Sequence, residues 1–337
     1  MNKHPTFFIT NFPIMKYFLL AICSFGASFS LLAQDLLQTI PNAHSDKINA
    51  LAISENGQTV FSAGNDETIN IWSAKTGQNL GKLGQQNDQI LDLEISGNEL
   101  ISAGRERDIF VWDIDKKKQK SKLQGHDYHV EDLDVSSNKN WLASASRDNS
   151  VKVWNLNTNE NSHSIKGHGA DVKAIAISVD GKFIASVDKD KTLRIWKIEG
   201  KELIKKMNGR SLINHIAFSN DGQYLVAATD KVVTIWETKS WTIHQRLRAH
   251  SSKITHLKFH PDGQHFATCS NDQKVIFWNI ETGKVQFSFI PHSGVSPTAI
   301  AISKDGKTFA TASSNREVKI WELQLLKKNT MDKFNDN

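Results

Sequence analysis

The sequence predicts an all-β chain in which one four-stranded unit is written seven times, and three observations predict it. Tryptophan closes a similar phrase at Trp72, Trp112, Trp154, Trp196, Trp236, Trp278 and Trp321, at gaps of 40, 42, 42, 40, 42 and 43 residues. A fixed period of this size marks a repeat architecture. The fourteenth residue after each of the first six is Gln86, His126, His168, Arg210, His250 or His292, and His44 holds the same place ahead of the first. The complementary interval, from this place to the next tryptophan, varies from 26 to 29 residues, so each unit has a rigid part and a tolerant part. Within each unit the apolar period is two, the period of a strand.

The elements follow in order. Ile48-Asn49-Ala50-Leu51-Ala52-Ile53 and Val172-Lys173-Ala174-Ile175-Ala176-Ile177 are short, β-branched runs that read as first strands. Turns follow at Asn56-Gly57, Asp180-Gly181, Asp221-Gly222, Asp262-Gly263 and Asp305-Gly306, where glycine reaches positive φ at little cost. A small-residue strand such as Leu142-Ala143-Ser144-Ala145 leads through a polar turn at Asp148 to a strand ending at the tryptophan. A turn such as Lys75-Thr76-Gly77-Gln78 then opens a fourth strand, as in Lys284-Val285-Gln286-Phe287-Ser288-Phe289. No stretch makes a convincing helix.

Composition excludes several classes. With 337 residues, 39% hydrophobic, nine tryptophans, nineteen glycines and two cysteines, the chain is neither disordered, collagen-like nor disulfide-stapled. A formal charge of +5 is weak for a nucleic-acid binder, and none is expected as a partner. The first 33 residues carry Lys3 and Lys16 and no acid, so without them the charge is +3. Lys16 precedes an uncharged, mostly apolar run from Tyr17 to Ala33, which reads as a secretory signal cleaved after Ala33, with Met15 as a second start. An exported, periplasmic or secreted protein follows. Alternatives are an uncleaved membrane anchor and a lipid attached at Cys23 after Leu20-Ala21-Ile22. The expected organisation is a signal over residues 1–33, the repeats over 34–324 and a polar tail over 325–337.

The Gly-His dipeptides at 125–126 and 167–168, the Asp-Gly turns, the Ser-Ala-Ser-x-Asp phrase and the terminal tryptophans resemble the WD-repeat family over nearly everything from Leu36 to Leu323. Only Trp112-Asp113 keeps the dipeptide that names the family. The resemblance implies a seven-bladed β-propeller, four antiparallel strands per blade, around a central channel. It also implies a structural tetrad of histidine, hydroxyl, aspartate and tryptophan in each blade. Blade one supplies His44, Ser62, Asp66 and Trp72; blade three His126, Ser144, Asp148 and Trp154; blade four His168, Ser186, Asp190 and Trp196; blade six His250, Thr268, Asp272 and Trp278. Blade two departs, with Gln86 and Glu106 beside Ser102 and Trp112. Blade seven has His292, Thr311 and Trp321 with Asn315 for the acid. Blade five has Arg210 for histidine, a serine place around Val226-Ala227 and a shortened turn before Trp236, and is expected to be the softest. A buried indole N–H needs an acceptor, and a hydroxyl supplies one while bonding onward to imidazole.

After Trp321 the chain offers no outer strand for its last blade, whereas Leu36-Leu37-Gln38-Thr39-Ile40 precedes His44 with no blade of its own. Pairing the leading strand with the last blade would close the ring and cover an edge.

Serine, histidine and aspartate invite a hydrolase reading, but the trio recurs with tryptophan around the ring, as structural hydrogen bonding should, and no Gly-x-Ser-x-Gly elbow occurs. His126-Asp127-Tyr128-His129 resembles a metal-binding phrase, yet strand alternation separates its imidazoles. No phosphate loop is present; no enzyme, cofactor or metal is expected. The run from Lys116 to Lys122 reads as a solvated outer edge, and Cys269 as inner-strand packing.

Recognition is therefore expected on the surface. In the family the loops before the first strand and before the turn aspartate share one face around the channel. These loops place Arg105, Arg147, Lys189 and Arg210 from adjoining blades around Tyr128 and His129. That sector is expected to dock an acidic protein or peptide segment, with Tyr128 as anchor and Arg147 as bidentate donor. A non-catalytic interaction scaffold is the leading function; the alternative is a propeller binding a sugar or a quinone-type cofactor at the channel mouth. The sequence names neither a partner nor an oligomeric state.

Overall fold

The structure is a computed structural model that describes residues 32–325. Its strands form seven separate four-stranded sheets arranged as the blades of a ring, and six of them take their four strands consecutively from the chain. The seventh joins the leading strand, Leu32–Ile40, antiparallel to Val318–Leu325, with Leu36 opposite Trp321 and Ile40 opposite Val318. The ring closes as expected, and the edge that Val318–Leu325 would otherwise expose is covered. The only helical element among the described residues is a single 3-10 turn at Glu199–Lys201.

The inner strands, such as Ile48–Ile53, Val130–Val135 and Ile254–Phe259, line the channel, and each breaks register at its start. The core lies between blades. Trp154 of blade three, for example, packs with Leu133 and Leu142 against Ile101, Ile109 and Val111 of blade two. Each such cluster removes apolar area from water at about 25 cal/mol per Å², so neighbouring blades stabilise each other and a lone blade could not bury its faces. Gly167, of a Gly-His dipeptide, has φ +152° and lies where an added Cβ would come within 2.8 Å of Trp196; both constraints require glycine.

Cys269 is fully buried in the second strand of blade six, His265–Ser270, not in an inner strand as the sequence suggested. Burial pushes its thiol up to about 12, which suits packing rather than nucleophilic chemistry. The lysines from Lys116 to Lys122 lie on the outer edge of blade two, where Lys122 meets Asp108 at 2.8 Å and Lys120 pairs with Glu99.

Candidate functional site

The repeated polar groups are joined inside the blades. In blade three, His126 Nδ1 lies 2.7 Å from Asp148, its Nε2 2.7 Å from Ser144 Oγ, and Trp154 Nε1 donates to that Oγ at 2.9 Å. Blades one and six repeat this chain, from Asp66 through His44 and Ser62 to Trp72, and from Asp272 through His250 and Thr268 to Trp278. Burial lowers the His126 and His250 imidazoles despite their carboxylates. Burial would raise Asp148, but the His126 bond and its neighbours hold it well below its ordinary value. A neutral ring thus donates from Nδ1 to an ionised carboxylate and accepts at Nε2 from the hydroxyl, whose lone pair takes the indole N–H. Every polar atom in the chain of bonds is used within the fold.

Two blades reach the same arrangement with other acids. In blade four His168 Nδ1 meets Asp188 at 2.9 Å, not Asp190, which is exposed. The reason is Arg194, buried two residues before Trp196, which ion-pairs with Asp188; an uncompensated cation there would be costly. In blade seven Glu317, 2.7 Å from His292 Nδ1, takes the place assigned to Asn315, which accepts instead from Ser313. Blade two retains the Trp112 to Ser102 bond at 2.8 Å, while Gln86 Nε2 is buried without a partner and Glu106 bonds Asn87. In blade five the residue opposite Thr234, where other blades place the hydroxyl, is Ala227, and Arg210 is exposed.

The rim sector differs from its expected form. Tyr128 is 52% exposed and stacks on His129 with ring centroids 4.4 Å apart. Burial lowers the His129 imidazole, and the charges of Arg147 and Arg105 add to this against Glu131 and Asp88. However, Arg147 is paired with Glu131, which also holds Lys173 at 2.6 Å, and Lys189 meets Asp171 at 2.5 Å. These carboxylates, in the inner strand of blade three and the loop before that of blade four, correct the picture of a free cationic sector. Arg105 and Arg210 remain exposed and make no side-chain hydrogen bond or ion pair among the described residues.

Sequence reasoning missed the channel wall. Alternate inner-strand residues face it: Asp92 and Glu94 from blade two, Asp132 and Asp134 from blade three, His215 from blade five, and His256 and Lys258 from blade six. The signal was present as acids at period two in LDLEI and VEDLDV. Asp92 accepts from Leu133 N at 2.8 Å, Asp132 from Ile175 N at 2.7 Å and Asp134 from Ile177 N at 2.8 Å, each bond crossing to the next blade. Burial, reinforced by neighbouring carboxylates, pushes Asp92 up to about 6 and Asp134 up to about 7. Burial drops His215 to about 3 and His256 to about 4, helped by nearby cations. Burial also opposes the Lys258 charge, but Glu94, Asp134 and Asp92 outweigh it and hold its ammonium above the ordinary value. Lys258 reaches Glu94 across the channel at 2.7 Å, and the space left between the walls is about 50 Å³. That is far below the several hundred Å³ of a small-molecule site. Among the described residues no cluster of histidine, cysteine or carboxylate has the form of a metal site.

With the geometry in hand, comparison with known proteins decides the family. A profile described as the WDHD1 first WD40 domain matches residues 41–301, and one for the WD domain, G-beta repeat, matches 283–322. The chain belongs to the WD-repeat family. This WD-repeat protein is 35% identical over 86 residues to Protein HIRA of Dictyostelium discoideum, covering 22% of this chain and 8% of that one. It is 26% identical over 92 residues to a p21-activated protein kinase-interacting protein 1-like protein of Xenopus laevis, covering 26% and 25%. To the human Intraflagellar transport protein 122 homolog it is 35% identical over 66 residues, covering 20% and 5%. The chain thus spans a quarter or less of the length of these curated relatives.

The relatives correct the expectation of export: they are intracellular eukaryotic proteins rather than periplasmic or secreted ones. The apolar run from Tyr17 to Ala33 that prompted it lies outside the described residues, as does the anchor reading that rested on it. Among the described residues no helix is long and apolar enough to cross a membrane.

Proposed function

We propose that this protein is a non-catalytic interaction scaffold that holds a protein or peptide segment on the channel-mouth face around Tyr128. The observation that carries the reading is the division of polar groups. Histidine, hydroxyl and carboxylate are tied into blades three, four and six, and the channel is strapped by Glu94 and Lys258. The exposed Tyr128, stacked on the half-buried His129, and the unpaired Arg105 stand free beside it. An exposed aromatic with a neighbouring guanidinium is the composition of an interface anchor. A partner carboxylate would favour Arg105 over Arg147, whose charge Glu131 already offsets through a bond to Nε. A WD-repeat relative whose name includes "protein kinase-interacting" supports a protein partner.

Site-specific photo-crosslinking from position 128, with position 203 on the exposed outer strand of blade four as control, tests the proposal. A partner crosslinked from 128 and not from 203 is expected. In pulldown with the chain free of crosslinker, recovery of the same partner should fall at least about tenfold when Tyr128→Ala and Arg105→Glu are combined, since losing an anchor costs about 2 kcal/mol. Unchanged recovery would refute the site.

A further inference from the structure

Between blades four and five, on the face that carries the Asp-Gly turns and away from Tyr128, a groove of about 1140 Å³ opens. Its apolar floor is made by Phe183, Phe218 and Trp241, with ring centroids 6.2 and 6.4 Å from the indole. Three features mark this seam.

The first is missing cover. An added Cβ on the turn glycine would meet Trp141 of the preceding blade at Gly181, Thr308 at Gly57, and His260 at Gly306. At Gly222, on this seam, it would meet nothing within 4 Å, as also at Gly97 in blade two and Gly263 in blade six, but only here do three aromatic rings floor the opening. The second is strain. Trp241 sits in the turn before the outer strand of blade five at φ 52°, a place other blades give to Gly77, Lys117, Asn159 or Gly283. A bulky residue held in the left-handed region costs on the order of 1–3 kcal/mol and persists only when the surroundings enforce it. Here it lays an indole in the groove, and the indole N–H makes no hydrogen bond among the described residues. The third is charge. Asp180, Glu202, Asp221 and Glu237 rim the groove against Lys197 and Lys239. The only cations that pair with these acids among the described residues are exposed, Lys182 at 3.2 Å from Asp180 and His244 at 3.4 Å from Glu237; exposed pairs of this kind contribute little. Burial, and then the charges of Glu237, Asp221 and Glu281, push the Tyr224 hydroxyl above its ordinary value, which reports the same negative potential.

We infer that this seam is a second binding site, separate from the channel-mouth face, for a short extended peptide that places an apolar side chain on Phe183, Phe218 and Trp241 and a flanking lysine or arginine against Asp221 and Glu237. The apolar side chain supplies burial, and a cation beside an indole and two carboxylates supplies selectivity. An acidic segment would meet like charge, which gives the site its sense of partner.

The test uses the full chain labelled with 5-fluorotryptophan, with the Trp241 fluorine resonance assigned from Trp241→Phe. The probes are two acetylated, amidated hexapeptides, Gly-Arg-Leu-Arg-Leu-Gly and Gly-Glu-Leu-Glu-Leu-Gly. Saturable movement of the Trp241 resonance with the basic peptide is expected, with binding at least about tenfold weaker for the acidic one and for the Asp221→Asn, Glu237→Gln double variant. Both substitutions lie at the rim and keep size, so the remaining tryptophan resonances report whether the fold is intact. No saturable movement with the basic peptide, or equal response to both peptides, overturns the inference. So does movement that depends on protein concentration without peptide, which would give the groove to a second copy of the chain. Tyr128→Ala leaves this binding unchanged, so the two surfaces fail or stand separately.

Discussion

Blades three and five share the same four-strand plan and the same tryptophan position, yet they are held differently. In blade three, Asp148, His126, Ser144 and Trp154 are joined by bonds of 2.7 to 2.9 Å, and Trp141 covers the turn glycine of the next blade. Blade five has Ala227 in the hydroxyl place, an exposed Arg210 in the histidine place and an uncovered Gly222. Each nevertheless forms a four-stranded antiparallel sheet of the same order, with fully buried residues such as Leu142 and Leu225 at matching positions. Strand periodicity and burial between blades therefore make the shape, and the hydrogen-bonded chains act as local clamps. In blade five the clamp is missing, and an unusual tryptophan lines the open seam it shares with blade four.

If the clamps are real ties, the largest loss belongs to the acid that is in contact rather than the one at the expected spacing. Asp188→Asn should cost about 3–5 kcal/mol, because Arg194 is left buried without its counter-charge. Asp190→Asn should stay within about 0.5 kcal/mol. Chemical denaturation of both variants measures the difference, and equal losses would return the role to Asp190. Next, His126→Ala should cost about 2–3 kcal/mol, since it removes one bond each from the Asp148 carboxylate and the Ser144 hydroxyl and leaves a cavity where the buried ring stood. Arg210→Ala, at the matching place in blade five, should change stability by less than about 0.5 kcal/mol.

The contrast extends to the channel. Carboxylates of blades two and three have pKa values raised above those of an unfolded chain, so folding takes up protons there; their contribution is complete at low pH and is lost as pH rises through about 6 to 7. The imidazoles of blades five and six are lowered, to about 3 and 4, so their contribution is complete above about 6.5 and is lost as pH falls. Asp134→Asn should therefore raise the melting temperature by a few degrees at pH 8 and leave it nearly unchanged at pH 5. A difference independent of pH would remove this account of the acidic wall. The smallest effect is expected from Ala227→Ser, which offers Trp236 an acceptor and should stabilise blade five by about 0.5 kcal/mol.

The ring itself was legible because its signals are local and recur at fixed spacing. Trp154, Ser144 and His126 stand at set distances along the chain, and the unpaired Leu36–Ile40 announced closure. Asp188 and Glu317 were not legible because each lies two residues from the place of the usual acid, so a rule of spacing passes over them. The buried Arg194 was the available hint, visible as a cation two residues before Trp196. The neutralisation of Arg147 by Glu131 joins two places 16 residues apart within blade three, which no local spacing rule pairs. The strap from Glu94 to Lys258 spans 164 residues and the opening above Gly222 lies between two blades, so only the assembled ring brings these together.

Native-state hydrogen exchange resolved along the chain tests most directly whether the clamps hold the blades. The opening free energies of Val232–Glu237 in blade five should lie about 1–2 kcal/mol below those of the matching strand Ser150–Asn155 in blade three. Equal or greater protection in blade five would contradict the account.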